Sequence, residues 1–143
     1  MKITRECDYA IRISLMLCGL EEGAIAGAAA ISEAQCIPKQ FALKILRKLM
    51  EAGYVKSFKG AYGGYCMNIA ADKLTLKDII TAIDGDIAIN ECLECNRECN
   101  RVANVRECPV HRRLEALNSV IGQQLESITF SDLISDCSEG IKK

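Results

Sequence analysis

The sequence predicts a mainly α-helical domain with one small β-hairpin, followed by a long C-terminal helix. Three observations support this fold class. Apolar residues recur at spacings of three and four in several segments, which is the period of an amphipathic helix. Glycines within residues 60–64 separate two short segments that alternate as half-buried strands do. An unbroken helical stripe then extends over residues 109–127.

Length and composition favour one domain, with or without an extension, in the cytoplasm. The 143 residues are enough for a sizeable core, and half of them are hydrophobic, yet no run approaches the length that crosses a bilayer. The N-terminus lacks the apolar core of a signal peptide. Because disulfides rarely persist in the cytosol, the nine cysteines indicate metal, cluster or redox chemistry.

The first two helices are predicted at residues 3–19 and 27–34. One apolar stripe of the first helix consists of Ile3, Ala10, Ile13 and Leu17. A second stripe, Ile11 and Leu15, indicates that both sides of this helix are buried. The second helix is short and rich in alanine, which is typical of close packing against a neighbour.

A third helix is predicted from Pro38 to about Ala52, because proline suits the first helical position and Gly53 suits the C-terminal cap. Its predicted inner face consists of Phe41, Ile45, Leu46 and Leu49. The opposite face carries Lys39, Gln40, Leu43, Lys44, Arg47 and Lys48. Two helices joined by a short turn, the second basic on its exposed side, are typical of a helix-turn-helix.

The segment after the third helix predicts a β-hairpin. Tyr65, Met67 and Ile69 alternate, residues 55–58 can pair with them, and the glycines between supply the turn. A hairpin directly after a helix-turn-helix is a wing. We therefore predict a winged helix-turn-helix domain over residues 1–88.

The C-terminal part predicts three further helices and a loop. Thr75 opens the first of them, with Asp78 completing an approximate capping box and with the apolar stripe Leu76, Ile79, Ile80 and Ile83. A cysteine-rich loop is predicted at residues 89–108. The long helix that follows carries the stripe Val110, Leu114, Leu117, Ile121, Leu125 and Ile128. Such a stripe beyond a complete winged unit favours a second copy as partner, so residues 109–143 are predicted as a dimerisation helix and a short last helix.

The charge distribution predicts a DNA-binding surface, although the net charge is only −1. Between residues 37 and 60 six basic residues face one acid, whereas five acids face one base between residues 84 and 99. The side chains predicted to reach base edges are Lys39, Gln40, Leu43 and Lys44, near the start of the third helix. Phosphate contacts are predicted for Arg47, Lys48 and Lys56.

Residues 92–111 hold four cysteines and the only histidine of the chain. This segment has almost nothing to bury, so hydrophobic contacts cannot compensate the entropy of ordering it. Thiolates that converge on a metal ion or an iron–sulfur cluster would fix it. The arrangement C-x-x-C-x-x-x-C followed by C-x-x-H also suits zinc, and a thiol–disulfide switch is a further alternative.

Five stretches carry a resemblance to a known family. They are the opening MKITRECDYAIR, the segment LRKLMEAGYV, the wing KGAYGGY, the helix LTLKDIITAIDG and the cysteine loop. On these the chain resembles the Rrf-two family of winged-helix regulators, which includes the IscR, NsrR and RirA types. The resemblance implies a homodimer with crossing C-terminal helices that binds near-palindromic operators in double-stranded DNA. It also implies an iron–sulfur cluster, [2Fe-2S] or [4Fe-4S], as the sensor of iron, redox state or nitric oxide.

The resemblance assigns Cys92, Cys99 and Cys108 as ligands, with six and then eight residues between them. This spacing is longer than that of the IscR type, and Cys95 is an extra cysteine inside the loop. Candidates for the fourth ligand are Asp8, which the NsrR type places across the dimer, His111, which matches the IscR type, Cys95 and Cys7. Asp8 is favoured slightly over His111. The resemblance also places Lys59, on the wing, in the minor groove.

The predicted function is thus a cluster-sensing, homodimeric transcriptional regulator and not an enzyme. The alternative is a zinc-stapled or thiol-sensing repressor of the same fold. An electron-transfer subunit is disfavoured, because the sequence has no second cysteine cluster, no nucleotide-binding loop and no acid–base pair around its histidine.

Overall fold

The structure is a computed structural model that describes residues 2–94 and 99–140. Within them lie six α-helices and one antiparallel hairpin: α1 Arg5–Cys18, α2 Ala28–Gln35, α3 Lys39–Glu51, β1 Val55–Phe58, β2 Gly64–Met67, α4 Leu76–Asp84, α5 Pro109–Ser127 and α6 Phe130–Gly140. Two 3₁₀ turns, Glu91–Leu93 and Val105–Glu107, lie in the cysteine loop. The predicted fold class, mainly α with a small hairpin, is confirmed.

Side-chain caps explain where three helices begin. The Thr4 hydroxyl accepts a hydrogen bond from the Cys7 N–H (3.1 Å) and starts α1. The predicted capping box of α4 is confirmed, since Thr75 and Asp78 bond each other's backbone N–H groups. The same arrangement with Thr129 precedes α6. These local bonds satisfy backbone donors that a helix start leaves unpaired.

The turn between α2 and α3 consists of Cys36, Ile37 and Pro38. Cys36 has a left-handed backbone (φ 52°), the one positive φ outside glycine in the described part of the chain. The Ser32 hydroxyl donates to the Ile37 carbonyl (2.6 Å) and fixes the turn. Pro38 is the residue before α3 rather than its first residue. The chain therefore reverses tightly between the two helices of the helix-turn-helix.

The wing is attached to the domain on both sides. β1 pairs with β2 from Val55↔Met67 to Phe58↔Gly64. Tyr65 also exchanges two backbone hydrogen bonds (2.9 and 2.8 Å) with Ala26, just before α2. Gly64 permits this approach, because a Cβ there would lie 2.7 Å from the Ala26 oxygen. The hairpin is thus tied both to the end of α3 and to the start of α2.

One hydrophobic core joins the winged helices and α6. It consists of Cys7, Ala10, Ile13, Leu17, Ala26, Ile31, Ile37, Ala42, Ile45, Leu46, Leu49, Val55, Leu74, Ile79, Ile80, Ile83 and Phe130. Phe130 brings the last helix into this core, where α6 packs against α1. The last helix is therefore part of the packing of the winged domain.

Two residues predicted to be buried are not. Phe41 is 48% exposed, and Ala42 takes the inner position on α3 instead. The Phe41 ring packs edge-on against Tyr9, with 6.5 Å between the ring centroids, at the rim of the core. Ile3 is 46% exposed because it precedes α1 and so cannot share its helical stripe. Both predictions were wrong, because neither residue occupies a helical position that faces the core.

The long helix α5 buries only His111. Three apolar side chains of α5, Val110, Leu117 and Val120, are more than half exposed. Leu125, near its end, packs against the core. Within the described ranges no helix is long and apolar enough to cross a membrane. Three apolar positions of α5 are therefore largely uncovered in a single chain, whereas Leu114, Ile121 and Leu125 are half-buried.

Candidate DNA-binding surface and cysteine loop

The predicted DNA-contacting side chains of α3 lie on its outer face. Exposed there are Lys39, Gln40, Leu43, Lys44 and Arg47. Lys48 is half-buried at the edge of this face, beside α4. Leu43 is 41% exposed, which leaves a methyl-bearing side chain free for apolar contact. The exposed face of α3 thus agrees with the predicted one apart from the half-buried Lys48, because a 3.6-residue period fixes the faces of a helix. The contact of these residues with DNA stays a prediction.

Two of these lysines are held by an acid that the sequence analysis missed. Glu6 Oε1 lies 2.8 Å from Lys48 Nζ, and Glu6 Oε2 lies 3.1 Å from Lys44 Nζ. The hydrogen bond from Lys48 is the main cause that holds the pKa of Glu6 below its usual value, with burial opposing and Lys44 assisting. Lys48 Nζ also donates to the Ile83 carbonyl (3.4 Å), at the C-terminal end of α4.

The wing carries the other predicted contacts. Lys56 lies on β1 with its ammonium 6.0 Å from the centre of the Phe58 ring. Lys59 follows in the exposed turn. Tyr62, in the same turn, is 95% exposed and was not singled out from the sequence. A single aromatic residue in a glycine-rich turn carries no period that would have marked it.

The predicted ligands are spread along the cysteine loop, with Cys92 near its start, Cys99 in its middle and Cys108 at its end. Cys92, Cys99 and Cys108 are half-buried, and Cys95 lies outside the described residues. The Asn90 side-chain amide donates to Cys92 Sγ (3.3 Å). Cys108 is the residue directly before α5, at the positive end of the helix dipole, which favours an anionic thiolate.

Cys99 is chemically distinct from a free thiol. Backbone N–H groups of Arg101 and, to a smaller extent, Val102 bond its sulfur and lower the pKa of the Cys99 thiol. The thiolate is the form that binds metals and attacks disulfides. The lowered pKa favours the thiolate form of Cys99, which both metal binding and attack on a disulfide require.

The candidates for a fourth ligand differ in environment. Asp8 is exposed on α1 and pairs with Arg12 across one helical turn (3.6 Å). His111 is 8% exposed, and its Nδ1 has no hydrogen-bond partner among the described residues. Cys7 is fully buried, and burial, followed by the nearby Asp84, raises the pKa of its thiol to about 12. Cys7 is thus enclosed in the core of the winged domain and presents no sulfur surface to the loop.

Arg12 was also missed by the sequence analysis. Its guanidinium donates to the Gln35 carbonyl at the end of α2 and lies 5.5 Å over the Tyr9 ring. Asp8, through Arg12, is thus connected to the turn of the helix-turn-helix.

No three His, Cys, Asp or Glu side chains lie close enough to hold a metal ion in the parts of the chain that the structure describes. The donor set nevertheless fits an iron–sulfur cluster chemically. It contains three loop thiols, one of them with a lowered pKa, and a buried imidazole nitrogen that has no hydrogen-bond partner within residues 2–94 and 99–140.

The start of the loop is fastened to three helices. Asp84, the last residue of α4, accepts hydrogen bonds from the Thr4 N–H (3.2 Å) and hydroxyl (2.6 Å) at the start of α1. The Asn118 amide on α5 bonds the backbone of Ile87 (2.8 Å) and Ile89 (3.0 Å). The segment that leads into the loop is therefore in contact with α1, α4 and α5.

Comparison with known proteins gives a consistent picture. The sequence matches the Rrf2 (Rrf-two) family profile, described as an iron-dependent transcriptional regulator, over residues 3–136. The HTH-type transcriptional regulator NsrR of Bacillus subtilis is 25% identical over 143 residues, 99% of this chain and 96% of NsrR.

Two solved structures have the same fold. CymR, the global cysteine regulator of B. subtilis, superposes with a TM-score of 0.76 at 26% identity and covers 94% of this chain and 97% of its own. T. potens IscR superposes with a TM-score of 0.76 at 22% identity, over 100% of this chain and 93% of IscR. Winged-helix regulators therefore share this architecture along nearly the whole chain.

Proposed function

The chain belongs to the Rrf2 family of DNA-binding transcriptional regulators, and on that premise we propose that it is a homodimer whose operator affinity depends on the state of an iron–sulfur cluster. The observation that carries this proposal is the position of the cysteine loop. The segment that leads from α4 into the loop follows Asp84, whose carboxylate accepts hydrogen bonds from Thr4 at the start of α1. The same first turn of α1 contacts the basic helix α3 through Glu6.

The exposed basic face of α3 and the wing supports double-stranded DNA as the partner. Polar and basic side chains at the start of such a helix can bond base edges in the major groove, while more distant lysines and arginines contact phosphates. Lys59 and Tyr62 project from the wing turn, which in this fold lies beside the helix. We expect binding that weakens steeply as salt concentration rises.

The uncovered face of α5 supports a second copy as the other partner. Val110, Leu117 and Val120 are 57%, 55% and 54% exposed in one chain, although all three are apolar. A helix face of this kind is usually buried by another helix. In a two-fold dimer the same face of the second copy would cover it, as the family resemblance implies.

The proposed cluster ligands are Cys92, Cys99 and Cys108 with either Asp8 or His111. A carboxylate on exposed Asp8 is accessible to a loop of the second copy, whereas His111 lies one helical turn after Cys108 in the same chain. An oxygen or nitrogen ligand holds iron less firmly than a thiolate does. That difference suits a cluster that is lost or modified when the signal arrives.

Anaerobic purification followed by iron and acid-labile sulfide analysis tests the cluster. We expect a brown protein with nearly equal iron and sulfide, and a visible absorbance that Asp8→Ala or His111→Ala alters, whichever residue is the ligand. Binding to a DNA duplex selected from a random pool is then measured with and without the cluster. Stoichiometric zinc without sulfide, found again after reconstitution, would refute the proposal.

A second candidate is a thiol-sensing regulator without a cluster. Two observations favour it. The pKa of the Cys99 thiol is lowered, and the fold is similar to that of CymR, the global cysteine regulator of B. subtilis. In that case the purified protein contains no iron, and oxidation of its thiols alone changes DNA affinity. Metal analysis separates the two candidates before any binding measurement.

A further inference from the structure

Glu6 is directed at α3 rather than at solvent. Its side chain is only 21% exposed, and its two oxygens contact different lysines of the same helix, Lys44 at 3.1 Å and Lys48 at 2.8 Å. The pair Arg47–Glu51, on the same helix, is different: its atoms lie 3.9 Å apart and its side chains are 79% and 70% exposed. Glu6 is thus a fixed carboxylate within the DNA-binding surface, whereas Glu51 is an ordinary surface acid.

The two lysines have different roles in holding this carboxylate. Lys48 is 33% exposed and is bonded both to Glu6 and to the Ile83 carbonyl at the end of α4. Lys44 is 56% exposed, and its ammonium donates a hydrogen bond to Glu6 Oε2. Lys48 therefore anchors Glu6 to the domain, and Glu6 in turn neutralises the more accessible Lys44.

We propose that Glu6 is a specificity-determining residue that makes Lys44 a hydrogen-bond donor for neutral base edges instead of a cation for phosphates. This inference rests on the proposed DNA-binding function. A lysine ammonium has three N–H donors, so the bond to Glu6 leaves two for another acceptor. The neutral O6 and N7 atoms of guanine can still accept those bonds, because hydrogen bonding there needs no net charge on the pair.

A phosphate meets a different situation at the same lysine. Its attraction to Lys44 is opposed by repulsion from the Glu6 carboxylate, which has an oxygen 3.1 Å from the Lys44 ammonium. Non-specific binding depends on such phosphate contacts, whereas specific binding adds base contacts. Glu6 therefore weakens binding to arbitrary sequences more than binding to a sequence that presents guanine to Lys44.

The test compares wild-type protein with Glu6→Gln and with the matched control Glu51→Gln, which removes the same charge from the exposed pair on α3. The probes are a random-sequence duplex pool and the duplex that wild-type protein selects from that pool. Affinity for each is measured across a salt series. Thermal unfolding of every variant is followed by circular dichroism.

For Glu6→Gln we expect affinity for the random pool to rise about threefold or more at low salt, and the slope of log affinity against log salt to steepen by about 0.9, the value for one additional phosphate contact. Affinity for the selected duplex should change by a smaller factor, so the specificity ratio falls. The control should show much smaller changes, because the Arg47–Glu51 pair is exposed and its atoms lie 3.9 Å apart. Lys44→Gln combined with Glu6→Gln should abolish both effects.

Equal slopes for wild type and Glu6→Gln, or equal changes in Glu6→Gln and Glu51→Gln, would overturn the inference while leaving DNA binding intact. If wild-type protein selects no sequence from the pool, the proposed function itself fails. Should Glu6→Gln not fold, Glu6→Asp provides the test, since its shorter side chain keeps the charge but withdraws it from Lys44. An unchanged random-pool affinity in that variant overturns the inference equally.

Discussion

The winged domain and the long helix α5 bury their apolar residues to very different extents. In the described part of the chain, every buried hydrophobic residue lies within residues 7–83, apart from Phe130. The 19 residues of α5 contribute one buried side chain, His111. The winged domain is therefore stabilised by contacts within one chain, whereas α5 and the loop before it depend on something additional. A second copy and a bound cluster are the additions that we propose.

Cysteines in the two regions differ in the same way. Cys7, in the winged domain, is fully buried with a pKa of about 12 and serves as a small apolar side chain. Cys99, in the loop, has a lowered pKa because backbone N–H groups bond its sulfur. The cysteine with the lowered pKa thus lies in the loop, which contributes no side chain to the hydrophobic core of the described residues.

The largest expected effect is the loss of bound iron when a cysteine of the loop is replaced. Cys108→Ser should abolish the visible absorbance and the bound iron, because a serine hydroxyl is a harder and more weakly bound ligand than a thiolate. Cys137→Ser, at an exposed position of α6, is the control and should retain both. The measurements are absorbance spectroscopy and iron analysis under anaerobic conditions. Full iron content in Cys108→Ser would remove Cys108 from the ligand set.

The next effect concerns the uncovered face of α5. Leu117→Glu places a charge on this face and should convert the proposed dimer to a monomer, because a buried unpaired carboxylate is costly. Ser119→Glu adds the same charge to an exposed position about half a turn away and should remain dimeric. Size-exclusion chromatography with light scattering measures both. A dimeric Leu117→Glu protein would mean that α5 is covered in some other way.

Phe130 tests whether burial separates the two regions, because it lies after α5 in the chain but is fully buried in the core of the winged domain. Phe130→Ala should lower the free energy of unfolding by about 3–5 kcal/mol, since it leaves a large cavity. Phe58→Ala, at a wing position that is 48% exposed, should cost about 1 kcal/mol or less. Urea denaturation gives both values. Similar losses would show that burial does not separate the two positions.

The smallest effect tests a local cap in the winged domain. Thr75→Ala removes a hydroxyl that accepts from the Asp78 N–H (3.2 Å) at the start of α4 and should cost about 1 kcal/mol. Thr81→Ala, at an exposed position inside the same helix, should be neutral or slightly stabilising, because alanine has the higher helix propensity. A loss of less than a few tenths of a kcal/mol at Thr75 would assign the start of α4 to packing alone.

Features that depend on near neighbours in the sequence were predictable. The capping box of α4, Pro109 at the start of α5 and the glycine turn of the wing each depend on residues only a few positions apart. Phe41 was assigned to the wrong face because an aromatic residue at the edge of a stripe fits either side. Its actual neighbour, Tyr9, lies on another helix.

Contacts between distant residues were not predictable from one sequence. Glu6 and Lys44 are 38 positions apart, and an acid in the first turn of a helix is explained equally well by the helix dipole. The hydrogen bond between Arg12 and Gln35, which are 23 positions apart, was also not predictable. The identities of the candidate ligands came from the sequence. Their environments required the fold, above all the burial of His111, whose Nδ1 has no hydrogen-bond partner in the part of the chain that the structure describes.

The backbone bonds between Ala26 and Tyr65 have a consequence for the shape of any DNA that binds. Because the wing is joined to the start of α2 as well as to the end of α3, two attachments restrain the distance between its tip and α3. A duplex that contacts both must match this distance by its own groove width and bending. Base pairs that no side chain contacts would then still affect affinity, through the energy needed to deform them.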